Sequence, residues 1–451
     1  MQVSQLKNKK IALLGFWREG KSSLAFLKKH GCSDITVLDK NPLPELDVPS
    51  ISGENYLERI SDFEVILKTP GISPFEAKLF PERRKIISQT QIFFQNYEGR
   101  VIAVTGTKGK STVSTLLYET LKTAGYNTRL VWNIWKPVLD EIDISSKKTY
   151  DFVVYEMSSY MLQDFIPQTY ISIFNNIYTC HIDWHRNWEN YKEAKCNILE
   201  DAQYSVINGD FQDDEDIQSI WGNQIFFNEW WKFSYADGWF YKDWEKFFED
   251  INILLEGEHN RKNICGVLTA VDIIMQDDDR LKEVMQKVLS KFWWLPYRIQ
   301  NIGNYKGITF INDAIATTPE STIEAIKTFS PDLKTLFLGG QDSGFQFEKI
   351  RQIILESSLE NLVLFPDTGE KIFPESERIV YEKEEKLNIE GKSYNILRTR
   401  SMEKAVQFAY TYTPKASLCL LSCAAPSFSL WTSYTVKGDE FTKYVQEQSL
   451  L

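Results

Sequence analysis

Residues 101–112 read Val-Ile-Ala-Val-Thr-Gly-Thr-Lys-Gly-Lys-Ser-Thr, an apolar run that passes into a glycine-containing turn. The run predicts a β-strand, and residues 113–118 predict the helix that follows the turn. In a loop of this kind, backbone N–H groups converge on phosphate oxygens. The stretch therefore predicts a phosphate-binding loop for ATP or GTP; the alternative is an ordinary βα turn without a ligand.

Each polar residue type in the loop has a physical role in binding phosphate. Lys110 places a positive charge at the β- and γ-phosphates, and the hydroxyl of Ser111 or Thr112 can complete the shell of a Mg²⁺ ion. The usual spacing has a glycine where this chain has Val104, and Gly106 takes over the turn. We expect the nucleotide to be bound by Gly106, Thr107, Lys108, Gly109, Lys110, Ser111 and Thr112.

The composition is that of a soluble globular protein with two or three domains: 451 residues, of which 43% are hydrophobic and 25% are charged. No apolar run approaches the roughly 20 residues that cross a bilayer, and the first residues lack a signal-peptide core, so we expect a cytoplasmic protein without membrane insertion. The six scattered cysteines predict reduced thiols. A net charge of −11 argues against nucleic acid as a partner.

The first hundred residues predict a nucleotide-binding βαβ unit. Residues 11–15 form a strand that enters a glycine turn, residues 20–29 a helix, and residues 35–39 a second strand that ends in Asp39. An acid at this position commonly meets a ribose, although Asp39 and Lys40 could equally serve only to cap the strand. The turn lacks the middle glycine of a dinucleotide fingerprint, which disfavours NAD.

Two further α/β regions are expected after residue 98. Apolar runs at 152–156 and 171–176 continue the sheet of the phosphate loop, with polar residues at their carboxyl ends, where ligands of open α/β sheets lie. A boundary is expected near Pro296, because this proline follows the helical stretch 281–291. Runs at 308–313, 334–340, 362–365 and 417–422 then predict a last α/β domain.

Polar motifs after the phosphate loop give the chain a resemblance to the Mur ligase family, whose members form amide bonds in peptidoglycan synthesis with ATP. Thr105–Thr112 matches the family's Thr-Gly-Thr-x-Gly-Lys-Ser-Thr signature. The other matching segments are Glu156–Ser159, Asn175–Asp183, Lys195, Glu258–Asn263, Leu295–Arg298 and Ile311–Ala314. Within the family, the chain is most similar to the D-glutamate-adding branch, through Thr69–Ile72, Trp132–Ile134, Leu338–Gly340 and Leu420–Ser427.

The resemblance implies an ADP-forming ligase of α/β class that activates a carboxylate as an acyl phosphate. It implies three domains: a Rossmann-like UDP-binding domain at 1–98, a central P-loop ATPase domain at 99–296 and a C-terminal dinucleotide-fold domain at 297–451. The implied cofactors are ATP and two Mg²⁺ ions. The implied substrates are UDP-N-acetylmuramoyl-L-alanine and D-glutamate, and the implied state is a monomer.

The resemblance also assigns residues. It makes Lys110, His181 and Lys195 catalytic, and the metal ligands Ser111, Thr112, Glu156, His181 and Lys195. Lys195 is expected to be carbamylated, which turns an ammonium that would repel Mg²⁺ into a carboxylate that binds it. ATP is also expected to contact Asn263, Arg298 and Asp313. The UDP-linked substrate is assigned to Phe16, Asp39, Lys40, Thr69, Gly71, Asn133 and Ser158, and the amino acid to Thr317, Ser427 and Tyr434.

The sequence departs from the family pattern at two positions, where lysines would hold the carboxylates of the incoming amino acid. This chain has Ile315 and Ser343 there. D-glutamate remains our hypothesis, with another amino acid or the other stereochemistry as alternatives. Two other protein classes also remain open: a P-loop kinase or GTPase, and a non-catalytic nucleotide-binding partner of an amidotransferase.

Overall fold

The computed structural model describes residues 2–131, 137–144, 149–251, 253, 255, 257–292, 297–342, 345–374 and 380–450. The chain divides into two compact units, Met1–Phe292 and Trp293–Leu451. No helix in the described ranges combines the length and the apolar character that a membrane crossing needs.

A five-stranded parallel sheet occupies the start of the first unit. Its strands are β1 (Ile11–Leu14), β2 (Ile35–Asp39), β3 (Ser50–Ser52), β4 (Val65–Lys68) and β5 (Ile86–Ile87), in the order β3-β2-β1-β4-β5. The helices are α1 (Val3–Leu6), α2 (Arg18–Lys29) and α3 (Gln89–Asn96). All four residues of β1 are buried, as expected for a strand covered on both faces. From β1 the chain runs to β2 and β3 on one side, and it then crosses to β4 on the other side of β1. In open α/β sheets, ligands bind beyond the carboxyl ends of the strands at such a reversal.

A six-stranded parallel sheet carries the phosphate loop. Its strands are β6 (Val101–Thr105), β7 (Thr128–Val131), β8 (Phe152–Glu156), β9 (Thr169–Phe174), β10 (Ala202–Asn208) and β11 (Gln224–Phe227), in the order β11-β10-β9-β6-β8-β7. The helices around it are α4 (Lys110–Thr123), α5 (Val138–Glu141), α6 (Ser159–Leu162), α7 (Ile182–His185), α8 (Trp188–Cys196), α9 (Glu215–Gln218), α10 (Glu258–Met275) and α11 (Asp278–Leu289). The central strand β6 is fully buried between β8 and β9, which brings three carboxyl ends to one edge.

The aromatic stretch after β11 folds as a small antiparallel sheet, which the sequence did not predict. Its strands are β12 (Phe233–Ala236), β13 (Trp239–Lys242) and β14 (Glu245–Glu249). Phe233, Phe240 and Phe248 are buried, whereas Trp230 and Trp244 stack on each other while remaining exposed. Core and surface packing therefore account for these aromatic residues.

The second unit contains a seven-stranded mixed sheet. Its strands are β15 (Gln300–Tyr305), β16 (Ile308–Asn312), β17 (Leu333–Gly340), β18 (Asn361–Asp367), β19 (Lys383–Ile389), β20 (Lys392–Arg398) and β21 (Ser417–Leu421), in the order β15-β16-β21-β17-β18-β20-β19. The five inner strands are parallel, and β15 and β19 pair antiparallel at the two edges. The helices are α12 (Pro319–Phe329), α13 (Glu348–Glu356), α14 (Thr368–Ile372), α15 (Met402–Tyr412) and α16 (Tyr434–Ser449).

The predicted α/β class with parallel sheets is confirmed. The second unit begins close to the predicted boundary at residue 297, and the division of the first unit at residue 98 stays a prediction. The six cysteines are free thiols.

Candidate active site

The phosphate loop turns at Gly109, which precedes α4 with φ = +76°. A Cβ atom there would lie 2.6 Å from Asn175 Nδ2 and 3.0 Å from Asn263 Oδ1. A side chain would therefore be strained by the backbone conformation and would also collide with two amides. The loop requires a glycine here, as the motif predicts.

Two asparagines at the carboxyl end of β9 hold the loop in place. The backbone O of Asn176 accepts from Thr107 N at 3.0 Å, and its Oδ1 accepts from Lys108 N at 2.9 Å. Asn175 Nδ2 donates to Asn263 Oδ1 at 2.8 Å, which brings the predicted ATP residue Asn263 beside the loop. This bracing was missed from the sequence, although the doublet at a strand end was a usable signal.

Two lysines converge on one carbonyl of the loop. Lys110 Nζ donates to Gly106 O at 3.0 Å, and Lys195 Nζ, which α8 carries, donates to the same oxygen at 2.9 Å. Lys195 is 2% exposed. Its burial, and secondly the charge of Lys110, place the pKa of the Lys195 amine well below its usual value. Burial therefore disfavours the charged ammonium at this position.

Glu156 and His181 are electrostatic neighbours of these lysines. Glu156 ends β8, is 2% exposed and favours the charged form of Lys195. His181 precedes α7 in a left-handed conformation, with φ = +55°. Burial lowers its pKa, and the charges of Lys195 and Lys110 lower it further, so the neutral imidazole that can bind a metal is favoured.

His185, one helical turn further, has a structural role. Its Nδ1 lies 2.8 Å from Gln163 Oε1 and its Nε2 lies 3.0 Å from Ser159 Oγ. Because the amide oxygen can only accept, Nδ1 carries the proton and Nε2 accepts from the serine hydroxyl. Burial, followed by the charges of His181 and Lys195, lowers the pKa of His185 to about 4. The ring is thus held neutral with both nitrogens engaged.

The donors around the loop suit a hydrated magnesium ion. No group of three or more His, Cys, Asp or Glu side chains arranged to hold a metal occurs among the described residues. Glu156 and His181 supply one carboxylate and one imidazole, and Ser111 and Thr112 supply hydroxyls in the first turn of α4. Mg²⁺ commonly takes only one or two protein carboxylates and keeps several waters. The hydroxyl of Ser158 is buried and has no hydrogen-bond partner in the described ranges. A bound ligand that supplied this partner would account for this buried hydroxyl.

Five of the residues predicted to bind the UDP-linked substrate lie at or just after the carboxyl ends of β1, β2 and β4 in the first sheet, whereas Ser158 follows β8 in the second sheet. The five are Phe16, Asp39, Lys40, Thr69 and Gly71. Asp39 Oδ2 accepts from Phe16 N at 2.7 Å, so this carboxylate fixes the loop after β1. Thr69 N donates to Leu14 O at 3.0 Å and brings the loop after β4 alongside. Lys40 is exposed and pairs loosely with Glu54, and Gly71 faces open space. Asn133 lies outside the described residues.

A second group of predicted residues gathers at the carboxyl edge of the sheet in the second unit. Asp313 follows β16 and is 4% exposed. Its Oδ2 accepts from Ser422 Oγ at 2.7 Å, and its Oδ1 accepts from Ile299 N at 3.1 Å. Burial raises the pKa of Asp313 to about 6, while these hydrogen bonds and the charges of Arg298 and Lys437 oppose the rise.

The predicted amino-acid residues surround this edge. Ser427 is 2% exposed, and its Oγ has no hydrogen-bond partner within the described ranges. Tyr434 opens α16 and its ring lies 6.0 Å from that of Tyr297. Thr317 and Ile315 lie in the turn between β16 and α12. Ser343, the other position that lacks the expected lysine, lies outside the described residues.

Comparisons with known proteins agree with the motifs. Residues 104–271 match the family model of the Mur ligase middle domain. The UDP-N-acetylmuramoylalanine–D-glutamate ligase of Acetivibrio thermocellus is 28% identical, over 98% of this chain and 97% of the relative. The UDP-N-acetylmuramoyl-L-alanine–L-glutamate ligase of Xanthomonas campestris is 27% identical, over 98% and 96%. The solved UDP-N-acetylmuramate-alanine ligase of Thermotoga maritima shares the fold, with a TM-score of 0.53 at 16% identity over 98% of this chain and 100% of that one. The predicted resemblance is confirmed.

Proposed function

We propose that this Mur-type chain is an ADP-forming ligase that joins D-glutamate to the terminal carboxylate of UDP-N-acetylmuramoyl-L-alanine. The observation that carries the proposal is the convergence of Lys110 and the buried Lys195 on the carbonyl of Gly106 in the phosphate loop. A kinase or GTPase loop has no need of a second, buried amine at this point. The similarity of nearly the whole chain to glutamate ligases supports the same reading.

The chemistry proceeds in two steps. An oxygen of the substrate carboxylate attacks the γ-phosphorus of ATP, the bond to the β-phosphate oxygen breaks, and an acyl phosphate and ADP form. The amine of the amino acid then attacks the acyl carbon, phosphate leaves, and the amine loses a proton. Both partners of the first step are anions, so positive charge must offset their repulsion.

The residues of the loop supply part of that charge. Lys110 Nζ donates to the carbonyls of Gly106 and Thr107 in the loop. When ATP binds, Lys110 would exchange these hydrogen bonds for contacts with the phosphates. Mg²⁺, when bound, would neutralise the charge that develops on the transferring phosphoryl group. Ser111 or Thr112 would hold one ion, and Glu156 and His181 would hold a second.

Lys195 would contribute as a carbamate. Its neutral amine can attack CO₂, forming an N–C bond and releasing one proton, and the resulting carboxylate would join Glu156 as a metal ligand. The low pKa of the amine favours this reaction, because only the unprotonated nitrogen has a free electron pair.

L-glutamate is a second candidate for the amino acid. The Xanthomonas relative is named an L-glutamate ligase and is about as similar to this chain as the D-glutamate ligase is. Ile315 also removes one of the lysines expected for D-glutamate.

The decisive experiment measures ADP release with UDP-N-acetylmuramoyl-L-alanine against D-glutamate, L-glutamate and a panel of other amino acids. We expect turnover with D-glutamate, and Lys110→Met serves as the inactive control. Turnover with L-glutamate alone would correct the stereochemistry. Absence of turnover with every amino acid would overturn the ligase proposal and leave a non-catalytic nucleotide-binding subunit.

The proposal places the enzyme in the cytoplasm, where ATP and UDP-linked sugars occur, and treats it as a monomer. Light scattering at working concentration tests the monomer: a mass of twice 52.6 kDa would contradict it.

A further inference from the structure

A fully buried lysine lies beneath the carboxyl edge of the second unit's sheet. Lys437, in the first turns of α16, is 0% exposed, and its Nζ has no hydrogen-bond acceptor in good geometry among the described residues. Among the described residues, it interacts electrostatically with the Cys423 thiol, a weak acceptor, and with the Asp313 carboxylate. An ammonium this deep is costly unless a negative charge lies close to it.

The backbone of α16 is fixed against the segment that carries Asp313. Asn312 Nδ2 donates to Gly438 O at 2.9 Å. A Cβ atom on Gly438 would lie 2.3 Å from the ring of Tyr297 and 3.1 Å from Ala314 Cβ, so the helix approaches these residues as closely as a glycine allows. Lys437 is therefore held beside the turn that follows β16.

The charged and titratable groups around Asp313 come from three further segments. Arg298 precedes β15 and is exposed, so water screens its charge. Cys423 follows β21, and burial raises the pKa of its thiol, which keeps it neutral. Lys437 is thus the buried positive charge that faces this carboxylate within the described residues.

We propose that Lys437 is a positioning residue that keeps the Asp313 carboxylate ionised and in place at the ligand-facing edge of the sheet. Asp313 then presents a negative, hydrogen-bond-accepting group from a buried site, with Ser422 and the N–H of Ile299 fixing its orientation. What Asp313 binds there, the nucleotide of ATP, rests on the proposed function.

The first test follows the pH dependence of ADP release. Lys437→Met removes the charge while keeping an unbranched side chain, so Asp313 should protonate more readily. We expect the acid limb of kcat/KM to move upward by roughly one pH unit, since a close opposite charge shifts a carboxyl pKa by about that much or more. Lys437→Arg should restore the limb. Lys443→Met, on the same helix but exposed, is the matched control and should leave it unchanged. An unmoved limb in Lys437→Met overturns the proposal.

The second test does not need enzymatic activity. Urea unfolding of the full chain is compared for the wild type, Lys437→Met, Asp313→Asn and the double variant. We expect the midpoint shifts to be non-additive at pH 8 and to approach additivity at pH 5, where Asp313 is protonated. Additive shifts at both pH values contradict the proposal. Non-additive shifts in a protein that turns over no amino acid would retain the role of Lys437 and reject the proposed function.

Discussion

At the scale of single residues, burial decides the chemistry of the site. Lys195 and His185 are ordinary titratable residues in the sequence, but the structure places the first at 2% and the second at 0% exposure. Desolvation penalises the charged form of each, so the pKa of the Lys195 amine lies well below its usual value and the pKa of His185 falls to about 4. No sequence pattern shows directly that a residue is buried. Lys195 could be singled out only because its position matches a lysine of the family's motifs.

The proposed carbamate gives the first prediction. Lys195→Met should reduce ADP release at least 100-fold, because it removes the carbamate that would hold a Mg²⁺ ion, whose positive charge would stabilise the phosphoryl transfer. With ¹³C-bicarbonate, the wild-type protein should show a carbamate carbonyl signal in ¹³C NMR, and Lys195→Met should lack it. Lys192→Met is the control: its side chain lies on the same helix and pairs with Asp214 and Asp216. A wild-type rate that persists in Lys195→Met would show that the buried amine is not needed.

His185 gives a pH-dependent prediction. Its pKa is about 4 in the folded protein, against about 6.5 for an unperturbed histidine. The unfolded chain therefore binds a proton between these values that the folded chain does not. The contribution of His185 to the free energy of unfolding is therefore complete above about pH 6.5 and is lost as the pH falls toward 4.

Replacing His185 by Phe should therefore flatten the decline in the free energy of unfolding between pH 6.5 and 4. At pH 7.5 the variant should be less stable by roughly 1–3 kcal/mol, since it leaves Ser159 and Gln163 without their partner. Urea unfolding across this pH range is the measurement. The same slope in wild type and variant would mean that His185 is not the titrating group.

At the scale of secondary-structure elements, local patterns predicted most of the apolar inner strands, but no run was predicted at the parallel strands β3, β7, β10, β11 and β20. The runs at 152–156 and 308–313 became β8 and β16 with shifts of at most one residue. Such strands are buried on both faces and appear as continuous apolar runs. The edge strands β15 and β19 were missed, because every residue in them except Ile389 is at least partly exposed and their sequences, Gln-Asn-Ile-Gly-Asn-Tyr and Lys-Glu-Glu-Lys-Leu-Asn-Ile, are polar.

The strand–loop–helix element of the phosphate site yields a prediction with a matched control. Gly109 and Gly125 flank α4, and both have positive φ, +76° and +93°. A Cβ at Gly109 would collide with Asn175 and Asn263, whereas a Cβ at Gly125 meets nothing within 4 Å.

Gly109→Ala should therefore weaken nucleotide binding at least 100-fold by deforming the loop. Gly125→Ala should cost only about 1–2 kcal/mol of stability through its backbone strain and leave nucleotide affinity intact. Calorimetric titration with a non-hydrolysable ATP analogue measures the affinities, and urea unfolding measures the stabilities. If the two variants bind the ATP analogue with equal affinity, the nucleotide does not bind at this loop.

At the scale of the whole molecule, the chain comprises two units with separate hydrophobic cores. The length of the chain predicted more than one domain, because a single hydrophobic core rarely serves 451 residues. The pairing of β21 between β16 and β17 joins segments that lie 84 to 109 residues apart in sequence, and no local pattern indicates it. That pairing is what brings Ser422 to Asp313, so the environment of this carboxylate could not be read from the sequence.

Separate cores predict that the two units unfold in separate transitions on heating. Ile207→Ala, in the core of the first unit, should lower one transition, and Leu362→Ala, in the core of the second, should lower the other, each by the equivalent of about 2–5 kcal/mol. These variants assign the transitions in calorimetry. An ATP analogue at 100 times its dissociation constant should then stabilise the first unit, which carries the phosphate loop, by about 2.7 kcal/mol, because only folded protein binds it. A shift of the second transition as well would report the contact with Asp313 proposed above. Lys110→Met should abolish the stabilisation of the first unit without moving the ligand-free transition of the second unit. If both core variants instead lower one shared transition, the two cores unfold as a single cooperative body, and nucleotide would stabilise all of it together.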